Sequence, residues 1–216
     1  MNAIKRIEFK FPLRHGALSL VERNLVAAVP SLVRPYPQRT IHSVYRDSLN
    51  QQDYFDNVAG TTPRQKVRLR WYGENRNVSA LEIKEKNVRV TWKHVLKIDN
   101  GRDVADVLNN PLGVCSDEVD RIFKGALNKR PLSMLYIRYD RKYFTTSRNI
   151  RFTIDTNIQF SDPAHMALKI RSPVAGVLEV KFPVELEEEA ASYVQKLNLQ
   201  YLRHSKYVIG MDCLYY

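Results

Sequence analysis

Between Lys66 and Lys86 the chain alternates charged and apolar residues with a period of two, on both sides of a polar turn. Successive side chains of an extended strand point to opposite faces, so this period specifies strands and not helix. In KVRLRWY, Lys66, Arg68, Arg70 and Tyr72 share one face, while Val67, Leu69 and Trp71 share the other. After GENRNVSA, the run LEIKEK sets Glu82, Lys84 and Lys86 against Leu81, Ile83 and the less fitting Glu85. The stretch predicts a β-hairpin with one face almost wholly ionic and mostly positive.

The same asymmetry recurs. Residues 4 to 11, IKRIEFKF, place Arg6, Glu8 and Lys10 against Ile7, Phe9 and Phe11. Residues 132 to 144 place Tyr136, Arg138, Asp140 and Lys142 on one face, with Ile137, Tyr139, Arg141 and Tyr143 on the other. In residues 150 to 158, Arg151, Thr153 and Asp155 oppose Phe152, Ile154 and Thr156; in 177 to 183, Glu179 and Lys181 oppose Leu178, Val180 and Phe182. Thr40 to Asp47 reads as a further extended stretch that pairs with the first strand, and Val88 to Ile98 as another strand with looser alternation.

Helical spacing marks Gly16 to Val29 through Leu18, Val21, Leu25 and Ala28, and Glu185 to Leu199 through Leu186, Ala190, Tyr193, Val194 and Leu197. Between Gly101 and Leu127 two helices are predicted, the second capped by Asp117. Residues 49 to 65 read as a loop, and His42 before it as a structural histidine. No repeat or linker interrupts the chain, so residues 1–216 are expected to form a single domain.

Charge narrows the partners. Lys and Arg number 34 against 23 Asp and Glu, a formal net charge of +11, which favours polyanions. Cys115 and Cys213 have no Cys or His at metal-ligand spacing and read as free thiols of a reducing compartment. No signal peptide and no apolar run of about 18 residues is found, which predicts a cytoplasmic protein without a membrane span.

Strands with one ionic and one apolar face admit two arrangements: charges outward around an apolar core, or charges inward in a closed sheet whose apolar faces are covered by helices. In the second, Arg6, Lys10, Lys66, Arg68, Arg70, Lys84, Lys86, Arg138, Arg151 and Lys181 meet only Glu8, Glu82 and Glu179. Unpaired buried ions cost several kcal/mol each, so such a channel calls for a bound polyanion. A barrel of about eight strands is wide enough for side chains and one narrow ligand such as a phosphate chain. Arg binds phosphate oxygens bidentately and Lys supplies point charge. Phosphoryl transfer also needs Mg²⁺ or Mn²⁺, ions that take carboxylate and substrate oxygens, and Glu179 beside Lys181 is the first candidate ligand. Glu8 and Glu82 fit equally as salt-bridge partners.

In order along the chain, IEFKF, SVYRD, KVRLRWY, LEIKEK, YIRYDRKYF, RFTIDTNI, LEVKFP and SKYVIG resemble the VTC domain. This is the polyphosphate polymerase domain of the vacuolar transporter chaperone complex, within the triphosphate tunnel metalloenzymes or CYTH-like superfamily. The resemblance implies an α+β fold with an antiparallel β-barrel tunnel, flanking helices and a basic interior. It implies transfer of the terminal phosphate of a nucleoside triphosphate, ATP first, to a growing polyphosphate chain. Lys10, Arg68, Arg70, Lys84, Arg138, Arg151 and Lys181 would then be catalytic. Lys66, Lys86, Glu8, Ser205 and Lys206 would bind substrate, and Glu179 would hold Mn²⁺ or Mg²⁺.

Two departures bear on the activity. Arg46 stands where an aromatic usually follows the SVY tyrosine, although Asp47 is kept. The first strand has the single glutamate Glu8 before Lys10, without the paired glutamates of the hydrolytic CYTH branch, which favours the polymerase. A triphosphatase and a non-catalytic polyphosphate or nucleotide sensor are the alternatives, and nucleic acid is not an expected partner. The phosphate-sensing and membrane domains that accompany the eukaryotic polymerase are not found in this sequence, so coupling to transport is not expected from this chain, with a membrane-bound partner subunit left as an alternative.

Overall fold

Antiparallel pairing organises almost every long-range contact in the computed structural model, which describes residues 5–115 and 121–216, leaving aside the side chains of residues 99 and 100. The strands are β1 (Ile7–Leu13), β2 (Arg39–Asp47), β3 (Arg64–Tyr72), β4 (Asn77–Asn87), β5 (Val90–Asp103), β6 (Leu132–Thr145), β7 (Arg151–Ser161), β8 (Ile170–Arg171) and β9 (Gly176–Phe182). They form a nine-stranded sheet in the order β1-β9-β7-β6-β2-β3-β4-β5, with β8 beside β7. The helices are α1 (Leu18–Ala28), α2 (Gln52–Ala59), α3 (Val104–Asn109), α4 (Arg121–Asn128), α5 (Glu187–Lys196) and α6 (Lys206–Tyr215). None is long and apolar enough to cross a membrane.

The sheet curls until its two edge strands touch. The Arg6 N–H donates to the Thr91 carbonyl at 3.0 Å, and the Thr91 N–H returns a bond to Arg6 at 2.9 Å. One bridge pair thus joins β1 to β5, and the result is a strongly curled tunnel that is not hydrogen-bonded all the way round. The fold is α+β, as the resemblance implies.

Apolar faces turn outward and are covered. Phe11, Phe152, Val180 and Phe182 pack under α1 and α5 through Val21, Leu25 and Ala190. Leu69, Trp71, Leu81 and Ile83 pack with Val104, Val107, Phe123 and Leu127 of α3 and α4. A third cluster sets Ile137, Ile158 and Phe160 against Tyr207 and Met211 of α6. Burial of this kind stabilises by roughly 25 cal/mol per Å² of apolar surface. Gly210 permits the close approach of α6, since a Cβ there would lie 2.6 Å from Leu135 and 2.7 Å from Phe160.

Local signals set the helix ends. Glu187, Glu188 and Glu189 occupy the first turn of α5 and Lys196 its last, matching the helix dipole. Ser205 caps α6 by accepting from the Val208 N–H. The Asp47 carboxylate accepts from the Asp53 and Tyr54 N–H groups at 3.0 Å each, capping α2 from the end of β2.

Two expectations are corrected. β2 pairs with β3 and β6, while β1 pairs with β9, so the first two strands are not partners. Residues 49–65 contain α2, and the SKYVIG run opens α6. Asp117, expected as a helix cap, lies outside the described residues. His42 stacks on Trp71 with ring centroids 5.2 Å apart, and its Nδ1 lies 2.7 Å from the Tyr136 hydroxyl.

Candidate functional site: a cationic lumen

The inward face of the curl collects charge from nearly every long strand. Glu179 of β9 is its centre. Its Oε1 lies 3.5 Å from Lys10 and 3.1 Å from Lys206, and its Oε2 lies 3.2 Å from Arg141 and 2.9 Å from Lys181. Asp155 of β7 receives both arms of Arg141 at 2.5 and 2.6 Å, and Lys206 at 2.5 Å. The backbone approach of β9 to β7 here needs Gly176, where a Cβ would sit 2.6 Å from the Asp155 carbonyl.

A second hub is Glu82 of β4. It takes Arg68 at 2.6 Å, Lys93 at 2.7 Å and Arg70 at 3.5 Å. Arg68 also donates to the Tyr45 hydroxyl at 2.7 Å, and Arg70 to the Tyr139 hydroxyl at 3.1 Å. Glu8 of β1 links the two ends of the sheet, with Lys84 of β4 at 2.6 Å and Lys181 at 3.3 Å. Cations therefore outnumber carboxylates: Lys10, Lys66, Arg68, Arg70, Lys84, Lys93, Arg141, Lys181 and Lys206 meet only Glu8, Glu82, Asp155 and Glu179.

The proton affinities of these groups carry the same imbalance. Burial alone would raise the carboxyl of Glu179, yet Lys181, Lys206, Lys10 and Arg141 hold it well below the usual range. Glu8 and Glu82 are likewise held low against burial by their lysines and arginines. Lys66 shows the opposite sign: burial first, then the charges of Lys10, Lys84 and Arg64, push it well below an ordinary lysine. Its Nζ has no carboxylate within ion-pair reach among the described residues and donates to Ser205 Oγ at 2.7 Å. Burial, only partly offset by Glu8 and Glu82, brings Lys84 and Lys93 each to about 8.

Of the residues expected from sequence, Glu8, Lys10, Lys66, Arg68, Arg70, Lys84, Glu179, Lys181 and Lys206 are brought together, with Ser205 at the cap of α6. Lys86 stands at the end of β4 opposite Arg64, where burial and the charge of Arg64 lower it. Arg151, first residue of β7, is exposed, pairs across the ladder with Lys181 and bonds Asn149. Arg138 is not in the lumen. It lies on the outer face, 3.4 Å from Glu74, and the inward arginine of β6 is Arg141. Asp155, Tyr139, Tyr45 and Lys93 also line the site without having been singled out. His204 adjoins it and is pushed to about 3, by burial first and then by Lys206 and Lys10.

These side chains pair across the lumen, and two open cavities lie outside it. One of about 250 Å³ sits at the turn joining β3 to β4, and one of about 510 Å³ beside residues 162–170 and Leu214. Among the described residues no cluster of three or more His, Cys, Asp or Glu groups stands ready for a metal. Directly across the ladder from Glu179, however, the buried Thr153 hydroxyl has no partner among the described residues.

The family described as VTC domain matches residues 5–215. No curated protein matches the sequence. Among solved structures, HpAC1 from Hippeastrum, described as a candidate adenylyl cyclase with a dominant triphosphatase activity, is similar with a TM-score of 0.57 and 12% identity, over 97% of this chain and 96% of that one. An adenylate cyclase candidate from Vibrio parahaemolyticus gives a TM-score of 0.57 at 10% identity, over 96% and 98% of the two chains. PH1819 from Pyrococcus horikoshii OT3 gives 0.51 at 12% identity, over 96% and 99%. At these identities the likeness is one of fold.

Proposed function

This chain belongs to the VTC domain family, and on that premise we propose that it is a polyphosphate polymerase, in which residues 1–216 act as one tunnel domain on a nucleoside triphosphate. The observation that carries the reading is the excess of lumen cations over carboxylates, felt most sharply at Lys66, which has lost proton affinity without an acidic partner. A linear polyanion satisfies that excess along the length of the channel. Arg68, Arg70 and Arg141 offer bidentate guanidinium forks, and the lysines offer point charges.

The reaction asks little covalent work of the protein. A terminal oxygen of the polyphosphate acceptor attacks the γ-phosphorus, a new P–O bond forms, and the bond to the β-phosphate oxygen breaks to release the nucleoside diphosphate. The attacking oxygen is already anionic, so no base is required. Catalysis is then positioning and charge neutralisation by groups fixed in place.

A divalent ion fits this site in one way. Both oxygens of Glu179 are engaged by cations, so a bare metal ion would have to displace them. A phosphate chain that draws Lys10, Lys181 and Lys206 to itself releases the carboxylate, and the unpartnered Thr153 hydroxyl lies across from it. Glu179 would hold Mg²⁺ or Mn²⁺ together with phosphate oxygens, the usual coordination for these ions. When bound, the ion neutralises charge on the transferring phosphoryl group.

The experiment is incubation of pure protein with ATP and Mn²⁺, resolved on a gel. Phosphate polymers are expected. Release of free phosphate alone would replace the polymerase with a triphosphatase, a reading favoured by the triphosphatase activity described for HpAC1. Binding without turnover would make the chain a sensor.

A further inference from the structure

The inward face of β3 does not end at its arginines. Two residues beyond Arg70, on the same face, stands Tyr72, 40% exposed at the end of the strand. Beside it opens the cavity of about 250 Å³, lined by Tyr72, Asn75, Asn77, Ser79 and Gly101. Ser79 ties this cavity to the charged lane, since its hydroxyl donates to the Arg70 carbonyl at 3.1 Å. The Asn77 carboxamide makes no hydrogen bond among the described residues, and Asn75 uses only its oxygen, accepting from the Asn77 N–H at 3.1 Å. Gly101 keeps the floor open: a Cβ there would meet Asn77 at 2.7 Å.

An exposed aromatic face, free amides and a concave wall without charge make a poor phosphate site and a good site for a flat heterocycle with donors and acceptors at its edge. Successive inward residues of a strand are about 6.6 Å apart, a step that a ribose bridges. We propose that Tyr72, Asn75 and Asn77 form a nucleobase pocket, so that a nucleoside triphosphate enters the lumen with its base on Tyr72 and its phosphates directed past Arg70. The opposite end of β3 and β4 carries Arg64 and Lys86, each lowered by burial first and then by neighbouring positive charge, which suits a phosphate chain. The tunnel thus has a base-binding end and a phosphate-binding end.

This rests on the triphosphate reading of the lumen, and the test separates the two. The full chain is titrated calorimetrically with ATP and with inorganic tripolyphosphate, each at one fixed Mn²⁺ concentration. Stacking on an aromatic side chain predicts that Tyr72→Ala weakens ATP by about tenfold or more. Tripolyphosphate should stay within about twofold, and Tyr72→Phe should restore ATP binding. Asn77→Ala should reduce differences among ATP, GTP, CTP and UTP. Equal losses for both ligands, or no loss for either, would overturn the pocket while leaving the lumen reading in place. Failure of the unaltered protein to bind tripolyphosphate would remove both.

Discussion

Lys84 reaches across the lumen from β4 to Glu8 on β1, strands that are not neighbours in the sheet, and its Nζ lies 2.6 Å from the carboxylate. The pair acts as a crossbar: with Lys181 on the other oxygen of Glu8, it spans the channel along which a phosphate chain would have to pass.

The crossbar titrates in an accessible range. Lys84 and Lys93 are brought to about 8, against roughly 10.4 for an ordinary lysine. Anion binding favours their protonated forms, so affinity for tripolyphosphate should rise several-fold as pH falls from 9.5 to 7, with proton uptake on binding near pH 8. For the empty protein the sign is reversed. A lysine with a lowered folded value holds fewer protons than the unfolded chain between about 8 and 10.4, so these two groups make the melting temperature rise through that window. Calorimetric titrations in buffers of different ionisation enthalpy, with melting curves across the same range, check both signs.

Arg138 and Arg141 should behave differently. Arg138→Ala removes an outer-face contact with Glu74, and tripolyphosphate affinity should change by less than about twofold, as expected for an exposed ion pair. Arg141→Lys keeps a cation beside Asp155 but loses the bidentate fork, and affinity should fall about tenfold, the worth of a charged hydrogen bond. Equilibrium binding of the two variants decides it, with melting curves to show that both are folded.

That contrast also shows how far the sequence could be read. β3, β4 and β9 each carry ions mostly on one face and apolar residues on the other, so alternation alone put Arg68 and Arg70, and likewise Glu179 and Lys181, on a shared face, leaving open whether that face turns inward. β6 is ionic on both faces, with Arg138 and Asp140 on one and Arg141 on the other, and its inward side is fixed only by the pairing of Arg141 with Asp155 on β7. The register of that pair slips between Arg138 and Asp140, where Asn157 takes a left-handed φ of 51°, a shift that no period-two pattern reports. α2 was hidden for another reason. QDYFDNVA is only eight residues long, its Phe55 and Val58 are half exposed, and the cap that starts it comes from Asp47 in the preceding strand. The pairing of β1 with β9 joins residues from the two ends of the chain, information that lies in packing and not in any local pattern.

Glu179→Gln tests the central carboxylate. It removes the counter-charge shared by Lys10, Arg141, Lys181 and Lys206, so turnover and Mn²⁺ dependence should be lost while metal-free tripolyphosphate binding is kept or strengthened. The depressed carboxyls of Glu8, Glu82, Asp155 and Glu179 contribute stability that is full above the ordinary carboxyl range near 4.3 and is lost as pH falls through their lowered values. Melting temperature of the empty protein should therefore drop below about pH 4, and the drop should be smaller in Glu179→Gln. Activity assays and melts from pH 3 to 7 read both effects.

The most direct measurement is a crystal structure of the protein soaked with a non-hydrolysable ATP analogue and Mn²⁺. Phosphate density inside the lumen, in contact with Arg68, Arg70 and Arg141 and with Lys84 drawn away from Glu8, is the predicted result. Phosphate found only on the outer surface, with the bond between Lys84 and Glu8 intact across the lumen, would contradict it.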